Sequence, residues 1–274
     1  MAGSEPAWTQ LFPDEDFAFR FGFTNCPPAE FFGTTPLGDA LLQERNRWLD
    51  EPGNRYCGLL PSGHDLLAET LELAGEWGTV PRAAGTEDCS WLGRRWEPDF
   101  LLLRPGSASM RLEGGCVCFP SSWNLNEKIG KELPAIHAPV PGLNEGLGAT
   151  IDRFLGRLRP GKAALRANWG LSRSPELNQH PALRLPRLHP PVSAAGVFLR
   201  IENQALVSLP KSGGVLFGIR LQVIPLTEVL RHPVAAAGLR RALLSMPNEV
   251  AAYKNLDTVR DAVCDLLRAA PAEP

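Results

Sequence analysis

The sequence predicts an α+β chain, with a central antiparallel sheet and helices before, within and after it. Two observations carry this. Asp99–Arg104, Ser109–Phe119, Ala163–Leu171 and two long segments around Pro210–Gly214 are alternating or continuous apolar runs bounded by turn residues. Between and around them, apolar residues recur at helical spacing, most clearly at Leu143, Leu147, Ile151, Phe154 and Leu158. A composition of 26 Gly and 26 Pro adds the many turns and rigid corners such a fold needs.

Residues 1–35 are rich in Phe, Pro and Gly without a period and read as an irregular arm; residues 36–270 read as a single domain. Leu37, Leu41, Leu42, Trp48 and Leu49 mark a first helix. A second starts at Ser62, with Asp65 completing a capping box and Leu67, Leu71 and Ala74 on one face. Residues 79–97 read as a loop holding Trp91 and Trp96. The strands Asp99–Arg104 and Ser109–Phe119 flank the turn Pro105-Gly106-Ser107, and Gly114-Gly115 marks a bulge. A helix is expected from Asn124 to Leu133, stopped by Pro134. After Ala163–Leu171 comes a Pro-rich loop, 172–195, in which His180 and His189 each precede a proline. Helical segments near 226–246 and 257–269 close the chain.

Several function classes lose support at once. A formal net charge of −2 lacks the basic footprint of a nucleic-acid-binding protein. No apolar run approaches the roughly 18 residues of a membrane span. The first residues, Met-Ala-Gly-Ser-Glu-Pro, have neither the basic nor the apolar part of a secretory signal, so a cytoplasmic location with reduced thiols is expected. The six cysteines include no Cys-x-x-Cys, and the five histidines show no metal-site spacing. A zinc site made of protein ligands alone is therefore not expected, whereas a single axial histidine for a bound cofactor needs no partner. Cys116 and Cys118 form a Cys-x-Cys that a strand would turn to one buried face.

The hairpin around Pro210–Gly214 is the most informative local feature. A symmetric five-residue turn would set Leu209 against Val215, Val207 against Phe217 and Ala205 against Ile219, an apolar face. The other face would carry Arg200, Glu202 and Gln204 beside Arg220 and Gln222. Polar groups among Phe198, Leu206, Leu216 and Ile224 suit a ligand pocket, or else a solvated face with a Glu–Arg pair.

From Cys118 onward a series of motifs adds to this reading: Cys118-Phe-Pro-Ser-Ser-Trp123, Lys128-Ile-Gly130, Ile136-His137-Ala-Pro-Val-Pro141, Asp152-Arg-Phe154 and Arg166-Ala-Asn-Trp169. Arg200-Ile-Glu-Asn-Gln-Ala-Leu206, Leu209-Pro-Lys-Ser-Gly-Gly214, Phe217-Gly-Ile-Arg220 and Tyr253-Lys254 follow. In order and spacing this resembles the haem-dependent oxidative N-demethylase α-subunit family, across roughly residues 60 to 267. The resemblance implies a PAS-like sheet with helices holding a non-covalent b-type haem. It also implies oxidation of a secondary or tertiary amine with dioxygen and release of formaldehyde. Electrons in that family come from partner subunits carrying flavin and an iron–sulfur centre. This chain has neither Gly-x-Gly-x-x-Gly nor a ferredoxin-like cysteine run, so an external reductant, or peroxide, is implied. The alternative is a non-catalytic haem-based sensor or small-molecule-binding protein.

Under this resemblance His137 is the axial-ligand candidate, its backbone held by Pro134, Pro139 and Pro141, with a thiolate of Cys118 or Cys116 as rival. Arg166, Arg220 and Lys128 are candidates for the haem propionates, because guanidinium forks match carboxylates. Asn168 and Trp169 are candidate pocket residues, Trp169 also fitting the core. Glu202 is the substrate-side residue, a carboxylate beside a cationic amine, or else an ion-pair partner of Arg200 or Arg220. Lys211 and Ser212 shape the hairpin turn. Where the family pattern continues Arg-Gln-Thr after the glutamate, this chain has Asn203-Gln204-Ala205. The departures cluster on the substrate strands, while the His137 motif is intact.

Overall fold

The computed structural model describes residues 6–20 and 23–268. Seven strands form one antiparallel sheet: β1 (Thr24–Cys26), β2 (Cys57–Leu59), β3 (Asp99–Pro105), β4 (Met110–Cys116), β5 (Ala163–Ser172), β6 (Phe198–Leu209) and β7 (Gly214–Pro225). Their order across the sheet is β1-β5-β6-β7-β3-β4-β2. Ahead of the sheet's centre come α1 (Trp8–Leu11), α2 (Pro28–Phe32), α3 (Gly38–Leu49), α4 (His64–Glu76) and α5 (Cys89–Gly93). The connection from β4 to β5 holds α6 (Leu133–His137) and α7 (Leu143–Leu155). After β7 follow α8 (Leu226–Val229), α9 (Pro233–Ser245), α10 (Asn248–Tyr253) and α11 (Arg260–Arg268). Among the described residues no helix is long and apolar enough to cross a membrane.

Side chains alternate along the strands, so each strand serves two cores. One face presents Phe100, Leu102, Ala205, Val207 and Leu216 to Trp48, Leu66, Leu67 and Leu71 of α3 and α4. Further along the same face Leu171, Leu199 and Ile201 pack against α8 to α11. The opposite face presents Leu101, Leu103, Ala164, Leu206 and Val215 to Leu125, Leu155, Ile136, Ile151 and Phe154.

The helix expected over 124–133 does not form. Asn124 caps a single 3₁₀ turn, Leu125–Glu127, and Gly130 then reverses the chain at φ 84°, a conformation that ends any helix there. Pro134 belongs to the first turn of α6, where a missing N–H costs nothing, and so starts a helix where a stop was expected. His137 is consequently the last residue of a helix and not part of a loop behind one.

The β6–β7 hairpin is one residue tighter than the symmetric five-residue turn. Leu209 pairs with Gly214, Val207 with Leu216, and Asn203 with Arg220. Gly214 belongs to the strand because a Cβ there would lie 2.2 Å from Leu66 Cδ2 and 2.7 Å from the Leu103 carbonyl oxygen. Glu69 clamps the turn, accepting from the backbone N–H groups of Lys211 (2.8 Å) and Ser212 (2.7 Å) and from Ser212 Oγ (2.5 Å). Because the period of a strand is two, a slip of one residue moves every β7 side chain to the other face relative to β6. Arg220 is thereby separated from Glu202.

Smaller differences have local causes. Ser62 caps nothing: its hydroxyl binds Glu113, and α4 starts two residues later behind Gly63. Within 79–97 the residues Cys89–Gly93 are helical, with Asp88 accepting from Trp91 N at 2.7 Å. The arm contributes β1, which pairs with Ala163–Leu165 at the sheet edge and is too short to show a period in sequence. The bulge expected near Gly114 is present, since Leu102 pairs with Gly114 and Leu103 with Leu112, leaving Glu113 unpaired.

Candidate functional site

The site lies on the sheet face toward α6 and α7. Cross-strand register sets Arg166 opposite Gln204 and Asn168 opposite Glu202, so these four side chains form a polar square on two neighbouring strands. Arg200 stands two residues before Glu202 and shares its face. Glu202 is held at both oxygens: Ser121 Oγ donates to Oε1 at 2.7 Å, and Gln204 Nε2 donates to Oε2 at 3.0 Å. Ser121 is oriented in turn by Arg200, whose Nη2 lies 3.4 Å from its oxygen. The link between Glu202 and Arg200 thus runs through a hydroxyl and is not an ion pair.

Arg200 is a buried cation anchored by the carbonyls of Glu176 (2.7 Å) and Leu177 (2.9 Å). Burial pushes its pKa down to about 10, against the opposing charges of Glu202 and Asp99. Arg166 is less satisfied. Its Nε is buried without a hydrogen-bond partner, and its guanidinium makes no ion pair with a described residue. Burial lowers its pKa, and the charge of Glu202 only partly compensates. The residue is half-buried, and leaving its Nε without a partner carries a cost that an arriving anion would reduce.

His137 reaches the same region from the end of α6. Its pKa is lowered by burial first and then by the cation of Arg166, opposed by Asp152, with Lys128 adding to the lowering. The ring is held neutral, the form that ligates iron. Lys128 is half-buried just after the 3₁₀ turn. The surrounding helices are loosely packed. Among α6 and the first three turns of α7 no residue is fully buried, and Val140, Leu143 and Leu147 belong to none of the three cores. Val140 and, on α7, Leu143 and Leu147 are half-buried apolar groups outside those cores and could contact an apolar ligand.

Two residues missed by sequence reasoning belong to the same cluster besides Ser121. Lys254, just past α10, is half-buried, donates to the Trp169 carbonyl at 2.8 Å and has a pKa lowered by burial against the opposing charge of Glu202. Tyr253 beside it, 45 % exposed, has its pKa raised by burial and by Glu202. The sequence signal for all three was their presence inside the motif runs quoted above, since Ser121 and Glu202 are 81 residues apart.

Other candidates go elsewhere. Arg220 is on the opposite face, where it donates to the carbonyls of Phe31 and Gly33 and pairs with Glu97; this follows from the hairpin register. Trp169 also faces that side, packed edge-on against Phe12 at 5.3 Å. Cys116 and Cys118 are 0 % exposed, and burial raises both thiols well above their ordinary value, so neither supplies a thiolate. Asn168 is exposed at the open end of the square. Lys211 pairs with Glu72 at 2.6 Å, and Lys211 and Ser212 remain turn residues.

Fold and site together define an α+β protein whose sheet presents a cation-lined, half-apolar face beneath two loosely packed helices. A family model described as haem-dependent oxidative N-demethylase, alpha subunit-like, matches residues 69–264. The chain belongs to this family, whose description names haem-dependent oxidation as its chemistry.

The residues fit such a group. Haem brings an apolar macrocycle, two carboxylates and an iron. The site offers the half-buried apolar rows of α6 and α7, an orphaned buried Arg166 Nε, and a neutral imidazole at His137.

Proposed function

We propose that this chain binds a b-type haem non-covalently and oxidises a small amine, by oxidative N-demethylation or a closely related reaction. The observation that carries this is the half-buried, anion-less Arg166 beside a neutral His137, on the same sheet face as a doubly anchored Glu202. The strand order β4-β3-β7-β6-β5, with the helical connection between β4 and β5, supports the PAS-like reading of the fold.

In this reading His137 would hold the iron, and Arg166 and Lys128 would neutralise the propionates. When bound, haem supplies the activation of dioxygen, or of peroxide, next to the substrate nitrogen. Everything else falls to side chains. Ser121 and Gln204 each donate to Glu202, which leaves its remaining lone pairs free to accept an N–H of an ammonium group. Glu202 thereby orients the amine and offsets its charge, an interaction of about 1.5–3 kcal/mol for a charge-assisted hydrogen bond. Tyr253 and the exposed Asn168 border the approach. Removing a methyl group as formaldehyde consumes two electrons and two protons per dioxygen, so a reductant outside this site is required; an external flavin or iron–sulfur protein fits, and peroxide would replace both oxidant and electrons.

The experiment is a hemin titration of the purified protein followed by its absorption spectrum. A one-to-one Soret band that shifts or disappears in His137→Ala supports the assignment. Protein that takes up no hemin, or a spectrum indifferent to His137, overturns it. Dioxygen consumption with a reductant and a methylated amine then tests the reaction.

A further inference from the structure

From Arg153 to Pro175 the sequence carries six cations and no acid, within a chain of net charge −2. Three of them, Arg157, Arg159 and Lys162, are exposed and surround one shallow cavity of about 210 Å³ where the end of α7 meets the start of β5. Its apolar part is Phe154, Leu158 and Ala164. None of the three cations has a side-chain hydrogen bond or ion pair to a described residue. Some exposed arginines elsewhere pair, as Arg47, Arg231 and Arg268 do with Glu44, Glu228 and Asp265, and others, such as Arg82 and Arg187, stand singly among the described residues; Arg157, Arg159 and Lys162 share one cavity. The negative end of a helix attracts cations only within its last turn. Helix α7 ends at Leu155, so that effect leaves Arg159 and Lys162 unexplained.

Three like charges without counter-charges repel one another, and an anionic partner relieves that repulsion. The cations are on an open rim, whereas a small-molecule site encloses most of its ligand. The acid excess of the rest of the chain disfavours nucleic acid. From Lys162, just before β5, to Arg166 within it the chain runs four residues, about 13 Å when extended, which puts the patch beside the candidate cofactor site.

We infer that this cationic cavity is the docking surface for an acidic electron-transfer protein, whose carboxylates seat among Arg157, Arg159 and Lys162. That the partner delivers electrons rests on the haem-oxidase reading; that the surface takes an acidic protein does not. Each encounter oxidises the reduced donor by one electron, and two encounters supply the pair that the reaction consumes.

The test compares the wild-type chain with the triple variant Arg157→Glu, Arg159→Glu, Lys162→Glu, using a reduced plant-type [2Fe–2S] ferredoxin as an acidic probe. Arg47→Glu, Arg231→Glu, Arg268→Glu, combined at three exposed arginines on the other side of the sheet, is the charge-matched control, and circular dichroism verifies folding. Association measured on haem-free and hemin-loaded protein is expected to weaken ~10-fold or more in the triple variant and with rising salt, and to be unchanged in the control. Ferredoxin-driven reduction of the hemin-loaded protein should fall in parallel, while reduction by dithionite stays the same. Absence of ferredoxin binding to the wild type, or equal binding by the triple variant, overturns the inference. So does saturable binding of inorganic phosphate at about 0.15 M chloride that the triple variant loses, which would mark a small-anion site. Ferredoxin binding through the three cations by protein that takes up no hemin would sustain the docking surface and break the functional reading alone.

Discussion

Two arginines on opposite faces of the sheet, Arg45 and Arg166, hold their charge in opposite ways. On the α3 side, Arg45 is 0 % exposed, pairs with Asp99 at 2.5 Å and donates from Nε to the Gly93 carbonyl at 2.8 Å. Asp99 also accepts from the backbone N–H groups of Cys118 (2.7 Å) and Phe119 (3.0 Å). Glu97 takes Arg220 and the backbone and hydroxyl of Thr35. These groups hold segments distant in sequence together, and their valences are filled. On the α6–α7 side, Arg166 is half-buried with an orphaned Nε, and His137 is kept neutral by its surroundings. An orphaned Nε also occurs at Arg240 on α9, so what sets Arg166 apart is its place between His137 and Glu202.

The contrast is broken most directly at its ends. Arg45→Ala leaves Asp99 buried without its cation and is expected to destabilise the protein by about 3–5 kcal/mol in urea denaturation. Arg166→Leu removes a cation that has no partner and should leave the stability of haem-free protein unchanged or raised. The same substitution should weaken hemin binding ~10–100-fold, the loss of one charge-assisted interaction of about 1.5–3 kcal/mol. If Arg166→Leu destabilises as much as Arg45→Ala, the distinction between the two arginines is wrong. Glu202→Gln keeps the shape and loses the charge; kcat/KM for an amine should drop about tenfold or more with hemin affinity intact, measured by dioxygen uptake and titration. Ser121→Ala should have a smaller effect, about 1 kcal/mol in kcat/KM, because Gln204 still holds the carboxylate.

The smallest effect is in pH. Burial and the nearby cations keep His137 below the ordinary imidazole value, so at mildly acid pH the unfolded chain binds a proton that the folded chain does not. Stability of haem-free protein therefore falls as pH drops below about 6.5. His180 contributes with the same sign, its pKa lowered chiefly by burial. The diagnostic is the difference between wild type and His137→Gln, whose denaturation midpoint should vary less with pH.

Much of the site could be read from residues. Arg166 and Asn168 alternate on one strand, Glu202 and Gln204 on the next, and the period of two makes each pair share a face whatever the surroundings. Alternation does not fix the register between two paired strands. Arg220 was therefore grouped with Glu202, and only the tight packing of Gly214 against Leu66 and Leu103 fixed the register that parts them. Similarly, Pro134 reads equally as the end of one helix or the start of another, and Gly130 decided between them. Ser121 and Lys254 carry no local signature, since their roles come from contacts across long stretches of chain.

By itself the sequence determined the α+β class, the individual strands and the residue types gathered near Glu202 and His137, because these follow from local periodicity and from motif order. Tertiary structure alone decided which charges are paired. Whether an arginine is an anchor like Arg45 or an open position like Arg166 depends on atoms from other segments, and no window of sequence contains them.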